Sequence, residues 1–153
     1  MSAVLERSSA LRPMWPDDVD AVLAIEQDIY AHPWTQGNFH DSLLAGYSCW
    51  VMERGRVLVG YGVLMMGVAE AHLLNVSIAR DWQRQGLGRE LLRHFIALAQ
   101  QFEARRMLLE VRPSNVSARG LYSDAGFREL SVRRDYYPGA SGREDAILME
   151  MEL

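Results

Sequence analysis

The sequence predicts an α/β fold, with a mixed central sheet of about six to seven strands and helices on both faces. Two observations support this class. Strand-like runs rich in β-branched and apolar residues alternate with segments of helical periodicity. Their order is strand, two helices, three strands, helix, strand, helix, two strands, which is typical of a mixed sheet covered by helices. No internal repeat or Gly/Ser/Pro linker divides the 153 residues, so we expect a single domain over residues 1–153.

The N-terminal part reads as one strand followed by two helices. The strand is expected over Ser8–Met14, and Pro16 stands at the first position of a helix whose early acidic residues suit the helix dipole. A second helix is expected over Thr35–Leu44, with Thr35 as its N-cap. The buried face of the first helix is predicted to hold Val19, Val22, Leu23 and Ile29.

Three strands and the longest helix form the middle of the chain. The strands are expected at Tyr47–Glu53, Arg56–Met66 and Ala71–Ala79, with a tight turn at Arg54-Gly55 between the first two. The helix is expected over Gly88–Glu103, because apolar residues recur there at helical spacing. Those residues are Leu91, Leu92, Phe95, Ile96, Ala99 and Phe102.

The C-terminal part adds a buried strand, a helix and two further strands. The strand is Arg106–Val111, and the helix Asn115–Ala125 is stopped by a glycine. The last strands are expected around Phe127–Arg134 and Ala146–Glu150, with residues 135–145 forming a loop between them.

Composition excludes several classes of function. The net charge of −4 argues against general electrostatic binding to nucleic acid. Cys49 is the single cysteine, and the four histidines show no ligand spacing, so neither a disulfide nor a metal site is expected. No apolar run reaches the ~20 residues needed to span a bilayer, and no signal peptide is evident. We expect a soluble, cytoplasmic protein that does not act at a membrane.

A glycine-containing turn opens the longest helix. Gly86 and Gly88 stand at its start, flanked by Arg84 and Arg89. The first N–H groups of a helix have no internal partner and carry the positive end of its dipole, so this turn favours a phosphate. The alternative is a helix start whose glycines only permit the turn. The sequence lacks Gly-Lys-Ser/Thr, and no GxGxxG follows the first strand, which excludes P-loop and dinucleotide-fold sites.

The turn and its surroundings resemble the GNAT acetyltransferases. Residues 83–88, Gln-Arg-Gln-Gly-Leu-Gly, match the family signature Gln/Arg-x-x-Gly-x-Gly/Ala. Residues 108–127 are similar to the Leu-Glu-Val-Arg-x-Ser-Asn…Ala-x-x-Leu-Tyr…Gly-Phe block of the RimI-type ribosomal-protein-alanine N-acetyltransferases. His-Pro-Trp at residues 32–34 and residues 136–149 resemble the same branch. One departure is Arg80, which stands where the family usually has proline.

The resemblance implies acetyl-CoA as cosubstrate, with no metal. Main-chain N–H groups of the turn would hold its pyrophosphate, and the strand before the turn would run beside the pantetheine arm. Asn115 matches an asparagine that contacts the cofactor in the family, although a helix N-cap explains it equally well. The implied cofactor-binding residues are Val76, Ser77, Ile78, Arg84, Gln85, Gly86, Leu87, Gly88, Arg89 and Asn115.

The resemblance also implies two catalytic residues. Glu110 interrupts an apolar strand, where a carboxylate is costly unless it is solvated or paired; the family role is general base, and the alternative is an ion pair with an arginine such as Arg112. Tyr122 would be the general acid that protonates the thiolate of CoA, and its alternative is an ordinary core tyrosine packed near Leu121 and Phe127.

Aromatic residues on two expected loops complete the predicted site. Trp34, Tyr136 and Tyr137 would flank a slot for an extended peptide, although exposed aromatics often need no such explanation. Glu26, among other acidic residues, could attract basic residues of that peptide. The leading hypothesis is N-terminal acetylation of alanine in a small-subunit ribosomal protein by direct attack in a ternary complex. Acetylation of lysines or small amines, and a non-catalytic CoA-binding module, are the alternatives.

Overall fold

The computed structural model describes residues 8–139 and 142–153, and the elements follow the predicted order. The strands are β1 (Ser9–Pro13), β2 (Ser48–Arg54), β3 (Val57–Met66), β4 (Glu70–Ile78), β5 (Arg106–Val111), β6 (Arg128–Gly139) and β7 (Gly142–Glu152). The helices are α1 (Val19–Ile29), α2 (Gln36–Leu44), α3 (Leu87–Gln101) and α4 (Val116–Ala125).

Within the described residues, the sheet has seven strands in the order β1-β2-β3-β4-β5-β7-β6. The pair β4/β5 is parallel, whereas β1/β2, β2/β3, β5/β7 and β6/β7 are antiparallel. The sheet is therefore mixed, as the sequence predicts. The described part of the chain contains no helix long and apolar enough to cross a membrane.

The chain divides into two compact units. The first comprises the described residues up to Met65 together with Asn75–His94, and the second comprises Met66–Leu74 with the described residues from Phe95 onward. By these bounds, β4 and α3 each contribute residues to both units. The expectation of one domain over residues 1–153 stays a prediction.

The core of the first unit lies among α1, α2 and the β2–β3 hairpin. Val19 and Val22 of α1 are buried as predicted, while Leu23 and Ile29 are half-buried. Phe39 of α2 packs edge-on against Tyr61 of β3, with ring centroids 5.8 Å apart. The other buried members of this cluster are Met14, Cys49, Val51 and Val63.

The starts of the two helices differ in how well the sequence predicts them. Thr35 caps α2 as expected: its Oγ1 accepts a hydrogen bond from the N–H of Asn38 at 3.1 Å, and its own N–H donates to the Asn38 Oδ1 at 2.9 Å. Pro16, in contrast, begins a short 3-10 turn, Pro16–Asp18, and the α-helix starts only at Val19.

The prediction of a loop over residues 135–145 is wrong. In the structure β6 continues to Gly139 and β7 begins at Gly142, and their pairing includes Tyr137↔Glu144 and Pro138↔Arg143. Residues 140 and 141 lie outside the described residues. Aspartate, glycine and proline suggested a loop, but proline is tolerated in β6 because this strand is at the edge of the sheet. The pairing register of β6 with β7 shifts between Arg133 and Tyr137, so the two strands pair irregularly there.

The C-terminal end of α3 also differs from the prediction. The helix ends at Gln101, and the Phe102 side chain is 60% exposed instead of contributing to the buried face. Glu103 adopts a left-handed φ of 62°, which turns the chain toward β5. The apolar periodicity of the sequence extends to Phe102, one residue beyond the end of the helix at Gln101.

An ionic cluster around the buried carboxylate of Glu150 joins strands of the second unit. Glu150 of β7 is only 6% exposed, and its carboxylate accepts hydrogen bonds from Arg106 Nη1 at 3.0 Å and Arg128 Nη2 at 2.8 Å. Arg106 also pairs with Glu70 of β4 through its Nε, at 3.0 Å. The hydrogen bonds from Arg128 and then Arg106 lower the pKa of Glu150, although burial opposes the shift.

Because the pKa of Glu150 is lowered, the free energy of unfolding depends on pH in the acid range. The pKa of a glutamate in the unfolded chain is about 4.3, above that of Glu150 in the folded protein, so the unfolded chain takes up the proton first as pH falls. The cluster therefore contributes its full stabilisation above about pH 4.3, and this contribution is lost as pH falls through the folded pKa. We expect Glu150→Gln to destabilise the protein at pH 7, with a difference from wild type that shrinks below pH 4, measured by urea denaturation. Met151→Leu, a change without a titrating group, should shift stability equally at both pH values. An undiminished Glu150→Gln difference in acid would contradict this assignment.

Candidate active site

The loop between β4 and α3 has a backbone suited to an anion. After Ile78 the chain makes a 3-10 turn at Arg80–Trp82 and reaches the start of α3 at Leu87. Within this loop Arg84 has a φ of 62° and Gly86 a φ of 81°. Left-handed residues alternating with their neighbours bring successive N–H groups into one concavity, and the first turn of a helix adds further free N–H groups.

Side chains of the first unit hold this loop in place. Gln83 Nε2 donates to the carbonyl oxygen of Ile78 at 2.9 Å, which ties the loop to the end of β4. Arg54 Nη1 donates to Gln85 Oε1 at 3.3 Å, and the Arg54 guanidinium lies 5.7 Å from the centroid of the Trp82 ring. These contacts attach the loop to the end of β4 and to Arg54 of β2.

The predicted cofactor-binding residues of the loop divide by exposure. The side chains of Arg84, Gln85 and Arg89 are exposed and Gly86 is open to solvent, while Gly88 is half-buried. The Leu87 side chain is 4% exposed and belongs to the core. The Leu87 side chain is therefore not accessible to a ligand.

The side chains at the end of β4 are buried or half-buried. Ser77 is 3% exposed, and its Oγ donates to Asn75 Oδ1 at 2.6 Å and lies 2.6 Å from the hydroxyl of Tyr30. Ile78 is 8% exposed, and Val76 is half-buried. A Cβ on Gly60 would lie 3.0 Å from the carbonyl oxygen of Ser77, so a glycine permits the close approach of β3 to this segment.

Arg80, the departure from the family pattern, begins the 3-10 turn. Its Nε lies 3.3 Å from Asp28 Oδ2, and its Nη2 donates to the carbonyl oxygen of Asp28 at the end of α1. The arginine thus links the loop to α1 through side-chain contacts.

The two predicted catalytic residues lie on β5 and α4 of the second unit. Glu110 is exposed and forms an ion pair with Arg133, whose Nη1 lies 3.4 Å from Glu110 Oε1. The expected alternative partner, Arg112, instead donates to the carbonyl oxygen of Pro138. Tyr122 is 9% exposed, and its ring centroid lies 5.8 Å from that of Phe127. Both interpretations of each residue, catalytic and structural, agree with these positions.

Asn115 caps α4. Its Oδ1 accepts a hydrogen bond from the N–H of Ala118 at 3.2 Å. The N-cap interpretation is confirmed, and the contact with the cofactor stays a prediction.

The two tyrosines expected on a loop lie on β6 instead. Their ring centroids are 4.9 Å apart, in an edge-to-face arrangement. The guanidinium of Arg112 lies 4.4 Å from the Tyr137 ring and that of Arg133 lies 4.7 Å from the Tyr136 ring. Burial raises the pKa of Tyr137 to about 12, with Glu110 the next cause. The β6–β7 hairpin therefore presents these rings from a strand, packed by two arginines.

Trp34 follows α1 on the loop that leads to α2, as predicted. Its ring packs against Phe39 with centroids 5.1 Å apart, and its N–H donates to Glu26 Oε2 at 2.9 Å. Glu26 is 2% exposed, so the expectation that its carboxylate could attract basic residues of the peptide is wrong.

The described residues contain no cluster of histidine, cysteine, aspartate and glutamate suited to a metal ion.

Comparison with known proteins decides the family. Residues 19–127 match the model of the acetyltransferase (GNAT) family. The chain belongs to the GNAT acetyltransferases. It is 37% identical over 136 residues to the ribosomal protein bS18-alanine N-acetyltransferase of Escherichia coli (strain K12), covering 89% of this chain and 92% of that protein.

Further relatives agree. The enzyme of the same description from Haemophilus influenzae (strain ATCC 51907 / DSM 11121 / KW20 / Rd) is 33% identical over 137 residues, covering 89% of this chain and 93% of that protein. The crystal structure of the ribosomal-protein-S18-alanine N-acetyltransferase from Escherichia coli superposes with a TM-score of 0.89 and 34% identity, covering 95% of this chain and 94% of that one. The GNAT fold and the resemblance to this branch are confirmed.

GNAT membership makes acetyl-CoA the cosubstrate, and the β4–α3 loop fits the charge of this molecule. A pyrophosphate needs several convergent donors and positive charge. The left-handed residues Arg84 and Gly86 supply the backbone shape, and the exposed Arg84 and Arg89 supply the charge. When bound, acetyl-CoA supplies the acetyl group as a thioester.

The sequence did not predict the burial of Glu26 or its hydrogen-bond partners. Glu26 lies four residues after Val22 and three before Ile29, on the face of α1 that was predicted to be buried. A carboxylate spaced with the apolar residues of an amphipathic helix indicates a buried charge, and this pattern could have predicted the burial of Glu26. Its partners Tyr61 and Asn75 carry no comparable signal, because they become neighbours only through the pairing of strands.

The loop geometry predicts a selective effect for Gly86→Ala. A side chain at a φ of 81° costs about 1–2 kcal/mol, and relief of that strain would move the N–H groups. We expect CoA affinity, measured by calorimetry, to fall at least about tenfold.

Gly46→Ala is the matched control. Gly46 has a φ of 77°, and a Cβ at either glycine meets nothing within 4 Å. The control should lose similar stability and keep its CoA affinity. Equal CoA affinity in both variants would contradict the role of the loop.

Proposed function

We propose that this GNAT enzyme transfers the acetyl group of acetyl-CoA to the N-terminal alanine of ribosomal protein bS18, a protein of the small ribosomal subunit. The observation that carries the proposal is similarity along nearly the whole chain, 37% identity over 89% of this chain and 92% of the Escherichia coli enzyme whose name specifies that substrate. On this proposal the enzyme acts in the cytoplasm, without a membrane or a direct nucleic-acid contact.

The chemistry of an α-amine suits the groups proposed here. Such an amine has a pKa of about 7.7–8.0, against about 10.4 for a lysine side chain, so a useful fraction is neutral at pH 7. Only a modest base is then required, and it can act through one water molecule. We assign this role to the exposed carboxylate of Glu110, whose Oε1 and Oε2 can accept the proton of the attacking amine.

We assign the role of general acid to Tyr122, whose Oη would donate a proton to the departing sulfur. A phenol with a pKa of about 10 can protonate a thiolate whose conjugate acid lies near 8.5 with little thermodynamic cost when it is well placed. On this assignment the contact between its ring and Phe127 restrains the side chain.

Direct attack in a ternary complex is favoured over a covalent enzyme intermediate. Cys49, the only cysteine, is 5% exposed, and burial raises its pKa to about 11. A thiol in that state carries almost no thiolate at neutral pH and lacks access to a substrate.

The peptide surface is proposed to include Trp34, Tyr136 and Tyr137. Rigid aromatic side chains are suited to binding an extended peptide at low cost in conformational entropy. The negative net charge of the chain, −4, complements a basic ribosomal protein.

A peptide panel tests the substrate. Peptides with the N-terminal sequence of bS18, differing only at the first residue, are incubated with acetyl-CoA and analysed by mass spectrometry. We expect the alanine peptide to have the highest kcat/KM and to be modified at the α-amine. An N-terminally blocked peptide with an internal lysine is the control. Preference for the lysine would instead identify a side-chain acetyltransferase, and CoA binding without turnover on any amine would identify a binding module.

Glu110→Gln should lower kcat by about a hundredfold or more, because the amide cannot accept the proton. Tyr122→Phe should lower kcat similarly, and both variants should retain CoA affinity. Glu129→Gln is the matched control: Glu129 is another exposed glutamate of the second unit and is paired with Arg119. A wild-type kcat in Glu110→Gln across pH 6–9 would exclude Glu110 as the base.

A further inference from the structure

We infer that Glu26 is a positioning residue that holds the Trp34 loop in place for the acceptor peptide. The inference rests on the proposed function, since Trp34 is assigned to the peptide surface there. The Glu26 carboxylate would not touch either substrate. It would act through the hydrogen bond that it accepts from the main chain of Trp34.

Both oxygens of the buried Glu26 carboxylate accept hydrogen bonds. Oε2 accepts from the N–H of Trp34 at 2.9 Å. Oε1 accepts from the hydroxyl of Tyr61 at 2.8 Å and from Nδ2 of Asn75 at 3.0 Å. The three donors come from the loop before α2, from β3 and from β4, so one side chain of α1 joins three separate segments.

The donors are a peptide N–H, a phenol and an amide, all of them uncharged. Burial of a carboxylate is costly unless its lone pairs are satisfied, and an apolar residue of similar size would pack in the core at lower cost. A leucine at this position could not accept the hydrogen bond from the N–H of Trp34. The carboxylate thus determines the path of the loop immediately after Pro33.

The same carboxylate is connected to the end of β4. Asn75 donates to Glu26 Oε1 and accepts from Ser77 Oγ through its Oδ1, at 2.6 Å. The Tyr30 hydroxyl lies 2.6 Å from Ser77 Oγ. Burial raises the pKa of Tyr30 to about 12 and also raises that of Tyr61, with the charge of Glu26 contributing. Both phenols therefore stay protonated at neutral pH and serve as donors.

Glu26→Gln tests the role of the Trp34 bond. Glutamine keeps one acceptor oxygen, and we expect it to remain toward the two donors from Tyr61 and Asn75. The NH₂ group then faces the N–H of Trp34, and that bond is lost. We expect the hydrogen-exchange protection of the Trp34 amide to fall at least about tenfold, and KM for the alanine peptide to rise about tenfold with kcat and CoA affinity unchanged.

Val22→Ala is the matched control. Val22 lies one turn earlier on α1 and is 0% exposed, so its truncation destabilises the same helix without touching the carboxylate. A purely structural role for Glu26 predicts the same kinetic and exchange changes in both variants, and that result would overturn the inference. A raised KM and faster Trp34 exchange in Glu26→Gln alone would support it.

The wild-type protein provides a second measurement that does not depend on the variant folding. The Trp34 amide should exchange at least about tenfold more slowly than that of His32, an exposed residue of the same loop, after correction for intrinsic rates. Equal rates would overturn the inference. If wild-type enzyme fails to acetylate the alanine peptide, the proposed function fails, whereas turnover with an unchanged KM in Glu26→Gln refutes only the role of Glu26.

Discussion

The burial of one carboxylate constrains much of the first unit. Glu26 is 2% exposed, and its charge is tolerated only because donors from the Trp34 loop, β3 and β4 converge on it. Each of those donors must keep its place for the others to remain favourable, which makes the arrangement cooperative. The constraint helps to define the path of the irregular loop after α1, whose main chain donates to this carboxylate at Trp34.

The β4–α3 loop shows a different kind of constraint, one of backbone conformation. Its shape depends on left-handed backbone at Arg84 and Gly86, and a non-glycine residue in that region carries strain that surrounding contacts must offset. Gln83 and Arg54 provide such contacts, to the end of β4 and to Gln85. The side chains of Arg84 and Arg89 are exposed and can add positive charge, while the shape of the loop depends on its backbone and on these contacts.

Local sequence patterns predict much of the fold. The run Arg106–Val111 was predicted with its observed bounds, and Thr35 was recognised as a cap, because both signals lie within a few residues. The extent of β6 and β7 was missed, because strand pairing such as Tyr137↔Glu144 is decided between segments and overrides the turn preference of aspartate, proline and glycine. The true partner of Glu110, Arg133, was likewise missed, since it comes from a different strand.

The sequence by itself determined the order of elements, the glycine-containing turn before α3 and the membership in a family of acetyltransferases. Glycine placement, caps, motifs and periodicity are all local features of a sequence. Tertiary structure alone decided which polar side chains are buried and what they bond. Glu26 is the clearest case: its position on α1 is a matter of helical spacing, but its function as an acceptor exists only once Tyr61, Asn75 and the Trp34 main chain are brought to it. Hydrogen bonds between distant segments depend on packing, and packing is a property of the whole chain.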